Sequence, residues 1–417
     1  MRNREQRKLK TPVILTALVS VFFFAGFFLL YLMKQQPEAL VFAFAVPAVI
    51  WLGMLLIPRF IHADPPLLIL TYFLCCVGVL TLFDLKPEWG IQQFYSFLIA
   101  NLGMIAAELV VAHVRRWAFP CFLLMAVSVA LLSAPAVFGR TINGAKAWLA
   151  VGSFSFQPSE PVKLCFMLVM AFVLSRRKVL LAVLFGGGCL LLLMMEKDLG
   201  TALLYFFTAM LLIYASTGSL LLMLGGLTAG GGAAYIGYRL FSHVQARVSI
   251  WLDPFADPQG KGYQLIHGLF AIVNGGLWGK GLGQGNAGYI PYVQNDFIFA
   301  AIVNEFGILF GFLLLAAYVL IIIRGAMIAR RSADMMHALL AIGCVGMIAL
   351  QSFVIVGGIV KLIPLTGITL PFISQGGSSM VSSMAVIGLL QGVAARNEQI
   401  LREDETMAYF GQREAGQ

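Results

Sequence analysis

The chain has 417 residues, of which 60% are hydrophobic and only 11% are charged. A water-soluble protein of this length could not cover its surface with so few charged side chains, so the composition excludes a soluble globular protein. The formal net charge of +9 would by itself fit a nucleic-acid partner. The distribution of the cations along the chain argues against that class.

Apolar runs long enough to cross a hydrocarbon core of about 30 Å recur along the whole chain. Because backbone groups in lipid must pair within their own segment, these runs predict helices. The first run is too long for a cleavable signal and lacks a small-residue cleavage site. The sequence therefore predicts an all-α polytopic membrane protein with about twelve transmembrane helices, at residues 12–33, 40–58, 66–84, 94–112, 117–136, 158–174, 179–195, 199–216, 219–238, 297–323, 336–358 and 370–395.

The cations follow the alternation of these spans. With the N-terminus inside, 17 of the 28 Lys and Arg residues fall on inner segments, 10 fall on outer segments, and Lys163 lies within a span. This is the positive-inside pattern. We therefore expect cytoplasmic N- and C-termini, a large outward-facing loop at residues 239–296, and no nucleic-acid partner.

The cysteines and the C-terminus carry no sign of a metal site or a disulfide framework. All six cysteines lie inside apolar runs, and no Cys/His spacing typical of a zinc site is present. We interpret them as small packing residues. The last 22 residues are polar and predict a short disordered tail.

A glycine-rich stretch at residues 275–285 resembles a nucleotide-binding motif only superficially. Gly283, Gly285 and Gly288 fit GxGxxG, but no strand precedes them, and Gly281 follows Lys280 where a Walker motif needs Ser or Thr. Two interpretations stay open. The stretch is a flexible turn, or its backbone N–H groups and Lys280 meet an anion.

Several ionisable residues lie within or beside the predicted spans. Charge at membrane depth is costly, so such residues usually line a wet cavity or pair with one another. Glu160 and Lys163 are three residues apart on one helical face, which fits either a structural pair or a functional one. The set lies toward the outer ends of the spans and is expected to converge on one outward-facing polar cavity: Glu160, Lys163, Asp198, Asp296, Glu305 and Lys361.

Four colinear stretches carry a family resemblance: residues 143–164, 198–202, 251–300 and 370–379. Over roughly residues 66–396 the chain resembles the SEDS family, the FtsW/RodA/SpoVE proteins of bacterial cell-wall synthesis. The resemblance implies a ten-helix core at 65–396. A basic N-terminus with two additional transmembrane helices (1–64) would precede the core, and a cytoplasmic polar tail (397–417) would follow it.

The resemblance implies a peptidoglycan glycosyltransferase that polymerises lipid II at the outer face of a bacterial cytoplasmic membrane, in division, elongation or sporulation. It also implies an inverting reaction on an undecaprenyl-pyrophosphate-linked donor and a class B penicillin-binding protein as the transpeptidase partner. Two alternatives remain: a lipid II flippase, and a non-catalytic scaffold for the transpeptidase.

Such a reaction needs a general base and cations for the leaving pyrophosphate. By resemblance Asp257 is the expected base, although an Asp before Pro also forms turns. Asp253 is expected to orient the loop, and Asp198, Asp296 and Glu305 to support the site. No cluster requires a metal, although a divalent cation (Mg²⁺ or Mn²⁺) could bridge the pyrophosphate. The residues expected to bind or shape the site around substrate are Arg247, Lys280, Lys146, Lys361, Glu160 and Lys163.

Overall fold

The computed structural model describes residues 2–61, 64–142, 145–151 and 154–415, with side chains described at 12–61, 64–139, 147–150 and 156–403. The helices are α1 Arg2–Lys34, α2 Pro37–Phe60, α3 Pro65–Leu85, α4 Pro87–His113, α5 Ala118–Phe138, α6 Ser159–Ser175, α7 Val179–Met195, α8 Leu199–Thr217, α9 Leu220–Leu240, α10 Ser242–Leu252, α11 Tyr263–Gly275, α12 Ile298–Arg330, α13 Met335–Ile359 and α14 Gly377–Ala415. A small antiparallel sheet lies between α5 and α6, with strands β1 Arg140–Ile142, β2 Ala145–Val151 and β3 Phe154–Phe156 in that order.

Each of the twelve predicted spans corresponds to a helix, which confirms the polytopic α-helical fold. Within the described residues, ten helices are long and apolar enough to cross a membrane. The other two, α6 and α7, have 17 residues each. At 1.5 Å per residue they extend about 26 Å, close to the thickness of the hydrocarbon core.

Helices α3, α13 and α14 form the centre of the bundle, and α9 lies at its edge with almost all of its side chains exposed. Small residues allow the closest helix contact. A Cβ on Gly388 would meet the Met104 carbonyl oxygen at 2.1 Å, and a Cβ on Gly392 would meet the Val111 Cβ at 2.6 Å. Glycines four residues apart therefore let the backbones of α14 and α4 pack together, as in other membrane helix pairs.

The first two helices pack against α3 through aromatic side chains. The rings of Phe27, Phe42 and Phe83, from α1, α2 and α3, lie with centroids 5.3–5.6 Å apart. Where α1 ends, Lys34 Nζ lies 2.9 Å from Asp84 Oδ1 of α3 and donates to the Asp84 carbonyl oxygen at 2.7 Å. The two N-terminal helices are thus part of the same bundle as the rest of the chain.

Long-range contacts show which connecting segments lie at the same end of the bundle. Lys34 pairs with Asp84 at one end, which contains the predicted outer loops. At the other end, Arg324 pairs with Asp64 at 2.7 Å, and Asn397 Nδ2 donates to the Ile328 carbonyl. This alternation agrees with the order of spans predicted from the sequence.

Three segments differ from the prediction. The loop 239–296 is not irregular: it contains α10, which was not predicted, and the 13-residue α11. The short strands between α5 and α6 were also not predicted. The expected disordered tail is wrong, since α14 continues to Ala415. Extending an existing helix needs no new nucleus, so a polar sequence can continue it.

Candidate active site

The long loop closes over a cavity of about 120 Å³ at the end of the bundle that contains the predicted outer loops. Its walls come from α10, the turn before α11 and the start of that helix, the segment just before α12 and the segment between α13 and α14. Three ionisable side chains line it: Arg247, Lys261 and Asp296. The cavity therefore combines two cations with one carboxylate.

Arg247 of α10 fastens the loop to the segment between α13 and α14. Its Nη1 donates to the carbonyl oxygens of Leu365 (3.1 Å) and Thr366 (2.5 Å). Gly367 has φ +75°, and a Cβ there would lie 3.2 Å from Nη2. Burial lowers the pKa of Arg247, and the carboxylates of Asp296 and Asp198 oppose that shift. Among the described residues, Nη1 is the guanidinium atom that forms hydrogen bonds.

The carboxylates of Asp296 and Asp198 both act electrostatically on this guanidinium. Burial raises the pKa of Asp296 to about 6, and Arg247 acts in the opposite direction. Asp198 caps α8 by accepting from Thr201 N at 3.2 Å, and Gln157 Nε2 donates to its Oδ2 at 2.7 Å. Burial also raises the pKa of Asp198, with hydrogen bonds from Thr201 and Gln157 opposing it. The first two sequence motifs thus meet through Gln157 and Asp198.

Glu160 and Lys163 form a buried ion pair near the start of α6. Lys163 is only 2% exposed; its Nζ lies 2.9 Å from Glu160 Oε2 and donates to Gln351 Oε1 at 3.2 Å. Ser382 of α14 donates to the same Glu160 oxygen, and Gln351 Nε2 donates to the Thr369 carbonyl at 2.8 Å. The pair therefore joins α6, α13 and α14, while its role in the reaction stays a prediction.

The fourth motif packs against the end of the third. Ser374 Oγ donates to the Asn295 carbonyl at 2.7 Å, and the Gln375 backbone N donates to the Gln294 carbonyl at 2.9 Å. The second motif reaches the same segment, since a Cβ on Gly200 would meet the Thr366 carbonyl oxygen at 2.7 Å. All four motifs accordingly surround one end of the bundle.

The glycine-rich turn is docked into a break in α12, whereas a contact of the Lys280 side chain with an anion stays a prediction. Gly307 inside α12 has φ +84° and interrupts the helix. The backbone N–H groups of Lys280 and Gly281 donate to the carbonyls of Asn304 and Glu305 at 2.9 Å, and Ile308 N donates to the Gly276 carbonyl. The turn is therefore held in place, and these two N–H groups are used within the protein rather than for an anion.

Both loop aspartates form turns. The oxygens of Asp257 accept from Gly260 N and Lys261 N, each at 3.0 Å, and Asp253 Oδ1 accepts from Phe255 N at 3.0 Å. Both carboxylates are exposed. Asp257 is the one whose turn leads directly into Lys261, a wall of the cavity.

Three more predicted residues have described side chains, and these do not line the cavity. Lys361 Nζ donates to the Leu252 carbonyl at 3.3 Å, and Trp251 Nε1 donates to the Lys361 carbonyl at 3.1 Å, so Lys361 holds the end of α10. Lys280 is exposed on the glycine-rich turn. Glu305 is buried beside the Lys34–Asp84 pair rather than near Arg247. Lys146 belongs to β2, and its side chain lies outside the described residues.

Sequence reasoning missed several polar residues that complete the site. Gln157 directly precedes the Pro-Ser-Glu stretch of the first motif, and Lys261 follows Asp257 by four residues, so both stood within recognised segments. Gln351 and Ser382 had no such signal because they lie in apolar spans. In the described part of the chain, no group of three or more His, Cys, Asp or Glu side chains is placed to hold a metal ion.

The fold and site define a polytopic membrane protein with a cavity of paired charges at one end of its bundle. Residues 65–399 match the FtsW/RodA/SpoVE family model, described as cell cycle protein. Stage V sporulation protein E of Bacillus subtilis is 33% identical over 355 residues, covering 79% of this chain and 96% of the relative. The chain belongs to this family.

Other relatives match over shorter stretches. Peptidoglycan glycosyltransferase RodA of Mycobacterium tuberculosis is 41% identical over 167 residues, 40% of this chain; the match spans only 36% of that relative's length. Probable peptidoglycan glycosyltransferase FtsW of the same species is 35% identical over 321 residues, covering 74% of this chain and 61% of the relative.

Solved structures share the fold. A chain from a peptidoglycan synthase complex that coordinates polymerization and crosslinking has a TM-score of 0.68 at 27% identity, covering 81% of this chain and 98% of that one. The rod shape determining protein RodA of Thermus thermophilus has a TM-score of 0.60 at 27% identity, with the same coverage.

Proposed function

We propose that this protein is a peptidoglycan glycosyltransferase that polymerises lipid II into glycan strands at the outer face of a bacterial cytoplasmic membrane. The observation that carries the proposal is the meeting of Arg247, Lys261 and Asp296 in one cavity, beside the Asp257 turn and among all four family motifs. Relatives named as peptidoglycan glycosyltransferases support the same activity.

The reaction requires the acceptor hydroxyl to attack the anomeric carbon of the donor while its proton leaves. The bond from that carbon to the undecaprenyl pyrophosphate breaks, and the configuration inverts. Developing negative charge on the pyrophosphate is best stabilised by fixed cations in a partly desolvated site. Arg247 and Lys261 line such a site, and Arg247 is pre-oriented by its bonds to Leu365 and Thr366. Lys361, Lys280 and Lys146 are further proposed contacts for the extended substrate.

Asp257 is the proposed general base. Its carboxylate is exposed to a substrate approaching the cavity, and two backbone N–H groups fix both of its oxygens in orientation. A fixed carboxylate needs less reorganisation to meet the acceptor proton. Asp253 forms a similar turn four residues earlier in the loop, and its proposed role is to hold the loop in place.

The buried Glu160–Lys163 pair is proposed to support the cavity rather than to form a translocation path. Each charge is compensated by its partner and by Ser382 or Gln351.

A structure of a similar chain concerns a complex that couples polymerization to crosslinking. A class B penicillin-binding protein is accordingly the proposed partner.

The test is glycan-chain formation from purified lipid II by the detergent-solubilised full-length protein, with and without the transpeptidase. Asp257→Asn keeps an oxygen that accepts the turn's N–H but removes the carboxylate. General-base removal typically costs about 10²- to 10⁴-fold in rate, so this variant is expected to lose polymerisation by at least about 10²-fold. Asp253→Asn is the matched control, since it changes an exposed Asp before Pro in the same loop.

Each outcome separates the candidate functions. Loss in Asp257→Asn with retention in Asp253→Asn supports the base. If both variants still polymerise lipid II equally well, the polymerase activity stands but Asp257 takes no part in its mechanism. Absence of product from the wild-type protein, even with the transpeptidase present, contradicts the polymerase and favours a flippase or a scaffold.

A further inference from the structure

A second, larger cavity lies at the opposite end of the bundle. It has a volume of about 630 Å³ and opens between the α4–α5 connection, the C-terminus of α6, the N-terminus of α13 and α14. Four arginines line it against a single carboxylate, that of Asp334: Arg115, Arg116, Arg176 and Arg396. The cavity therefore carries a strong positive charge at a membrane boundary.

The one carboxylate does not neutralise these arginines. Asp334 caps α13 by accepting from His337 N at 3.0 Å, and its other oxygen pairs with His337 Nδ1. Burial acts to raise the pKa of Asp334, but the hydrogen bonds from His337 outweigh it and lower the pKa to about 2. Among side chains that the structure describes, none of the four arginines forms an ion pair.

The arginines are held by contacts that leave their charge available. Arg176 lies over the Phe172 ring with its Cζ 5.5 Å from the centroid, and Arg396 Nη1 donates to Gln399 Oε1 at 3.2 Å. Arg115 and Arg116 are exposed on the short connection between α4 and α5. Planar guanidinium groups present paired N–H donors that match phosphate oxygens.

Two buried ring nitrogens of residues that line the same cavity are a second, independent indication of a ligand site. Trp117 and His337 are each 6% exposed, and neither Trp117 Nε1 nor His337 Nε2 has a hydrogen-bond partner among the described residues. An indole N–H can only donate, and leaving it buried without an acceptor costs free energy. A ligand oxygen at the cavity wall would supply that acceptor.

The surroundings favour a lipid over a soluble anion. Phe119 and Phe122 of α5, next to the Arg115–Trp117 segment, are 75% and 71% exposed and belong to a helix that is apolar enough to face lipid. Acyl chains could lie along these rings while a headgroup enters the cavity. Basic pockets between transmembrane helices are a known way to bind anionic headgroups.

From this arrangement we infer a binding site for the phosphate group of an anionic membrane phospholipid, held by Arg115, Arg116, Arg176 and Arg396 with Trp117 as an additional donor. The site is separate from the proposed catalytic cavity and independent of the proposed function. By the positive-inside distribution it would belong to the cytoplasmic leaflet.

The test is native mass spectrometry of the full-length protein titrated with phosphatidylglycerol, with phosphatidylcholine as the neutral comparison. Each basic residue near a membrane surface contributes about 1 kcal/mol to binding anionic lipid, roughly fivefold in affinity. Arg115→Gln with Arg116→Gln should therefore weaken phosphatidylglycerol binding roughly 30-fold. Arg330→Gln with Arg331→Gln is the matched control, an adjacent exposed pair at the same end that does not line the cavity.

A weakening confined to the cavity pair supports the site, and an equal effect in both pairs overturns it. Competition by inorganic phosphate as effective as by phosphatidylglycerol would also overturn it, in favour of a soluble anion. Should the double variant fail to fold, Arg176→Gln and Trp117→Phe test the same cavity with smaller changes. Unchanged lipid binding in both would again contradict the inference.

Discussion

Burial and a neighbouring cation shift the pKa of Asp296 in opposite directions. Its position just before α12 marked it in the sequence as a charge at the end of a span. Its environment depends on Arg247, which lies in a helix that the sequence did not predict. The chemical type of the residue was thus predictable, whereas its strength as an acid follows from tertiary packing.

The raised pKa of Asp296 predicts how its contribution to stability changes with pH. The folded protein keeps this proton up to about pH 6, whereas an unfolded Asp releases it near pH 3.9. Over that interval the folded state binds more protons, so the contribution to stability falls as pH rises. Asp296→Asn removes this loss, and its unfolding temperature relative to wild type should rise between about pH 4 and pH 7.

Thermal unfolding in detergent across this pH range checks the prediction. Asp253→Asn, which changes an exposed carboxylate of the same loop, provides the comparison. An identical pH trend in the two variants would show that the burial of Asp296 has no such effect.

Among the elements, α1 is connected to the core by an ion pair whose two side chains differ in their burial. The Asp84 side chain is 5% exposed and that of Lys34 is 30% exposed. The Gly283 turn lies over this pair, with its would-be Cβ 3.3 Å from Asp84 Oδ1. A contact between α1, α3 and the glycine-rich turn could not be read from hydropathy, because it joins segments about 50 and 250 residues apart.

Removing only one member of this pair should cost more than removing both. Lys34→Met leaves the Asp84 charge buried without its partner, which should lower stability by about 1–3 kcal/mol, less than for a fully buried pair. Adding Asp84→Asn should recover most of that loss. Unfolding temperatures of the two single variants and the double variant measure the coupling.

Lys86→Met is the control for charge removal alone, since Lys86 and Glu88 form an ion pair with side chains 49% and 76% exposed. Surface pairs contribute about 0–1 kcal/mol. A loss in Lys86→Met as large as that in Lys34→Met would contradict a special role for the α1 contact.

For the whole molecule, hydropathy predicted the apolar spans and their order because lipid forces every backbone group in a span to pair locally. Hydropathy does not predict the elements of the chain that lie outside the spans. The helix α10 and the strands beside α6 depend on contacts such as Arg247 with Leu365 and Gln157 with Asp198. Such pairs, 118 and 41 residues apart, leave no periodic signal in the sequence.

The orientation of the molecule is a prediction with a direct measurement. The charge distribution places residue 259 outside and residue 333 inside. In intact cells, a membrane-impermeant maleimide should label Gln259→Cys, whereas Ala333→Cys should react only after permeabilisation. The native cysteines lie within helices of the bundle and are mostly buried, so they give little background. Labelling of Ala333→Cys alone in intact cells would reverse the topology.

The docking of the glycine-rich turn into broken α12 has a consequence for how this loop can change length during evolution. Residues 276–281 supply hydrogen bonds that replace those lost at Gly307. One inserted residue there would shift these donors away from their carbonyls and leave the polar backbone groups at the break unpaired, which costs free energy. Insertions and deletions among descendants of this chain should therefore be absent from residues 276–281.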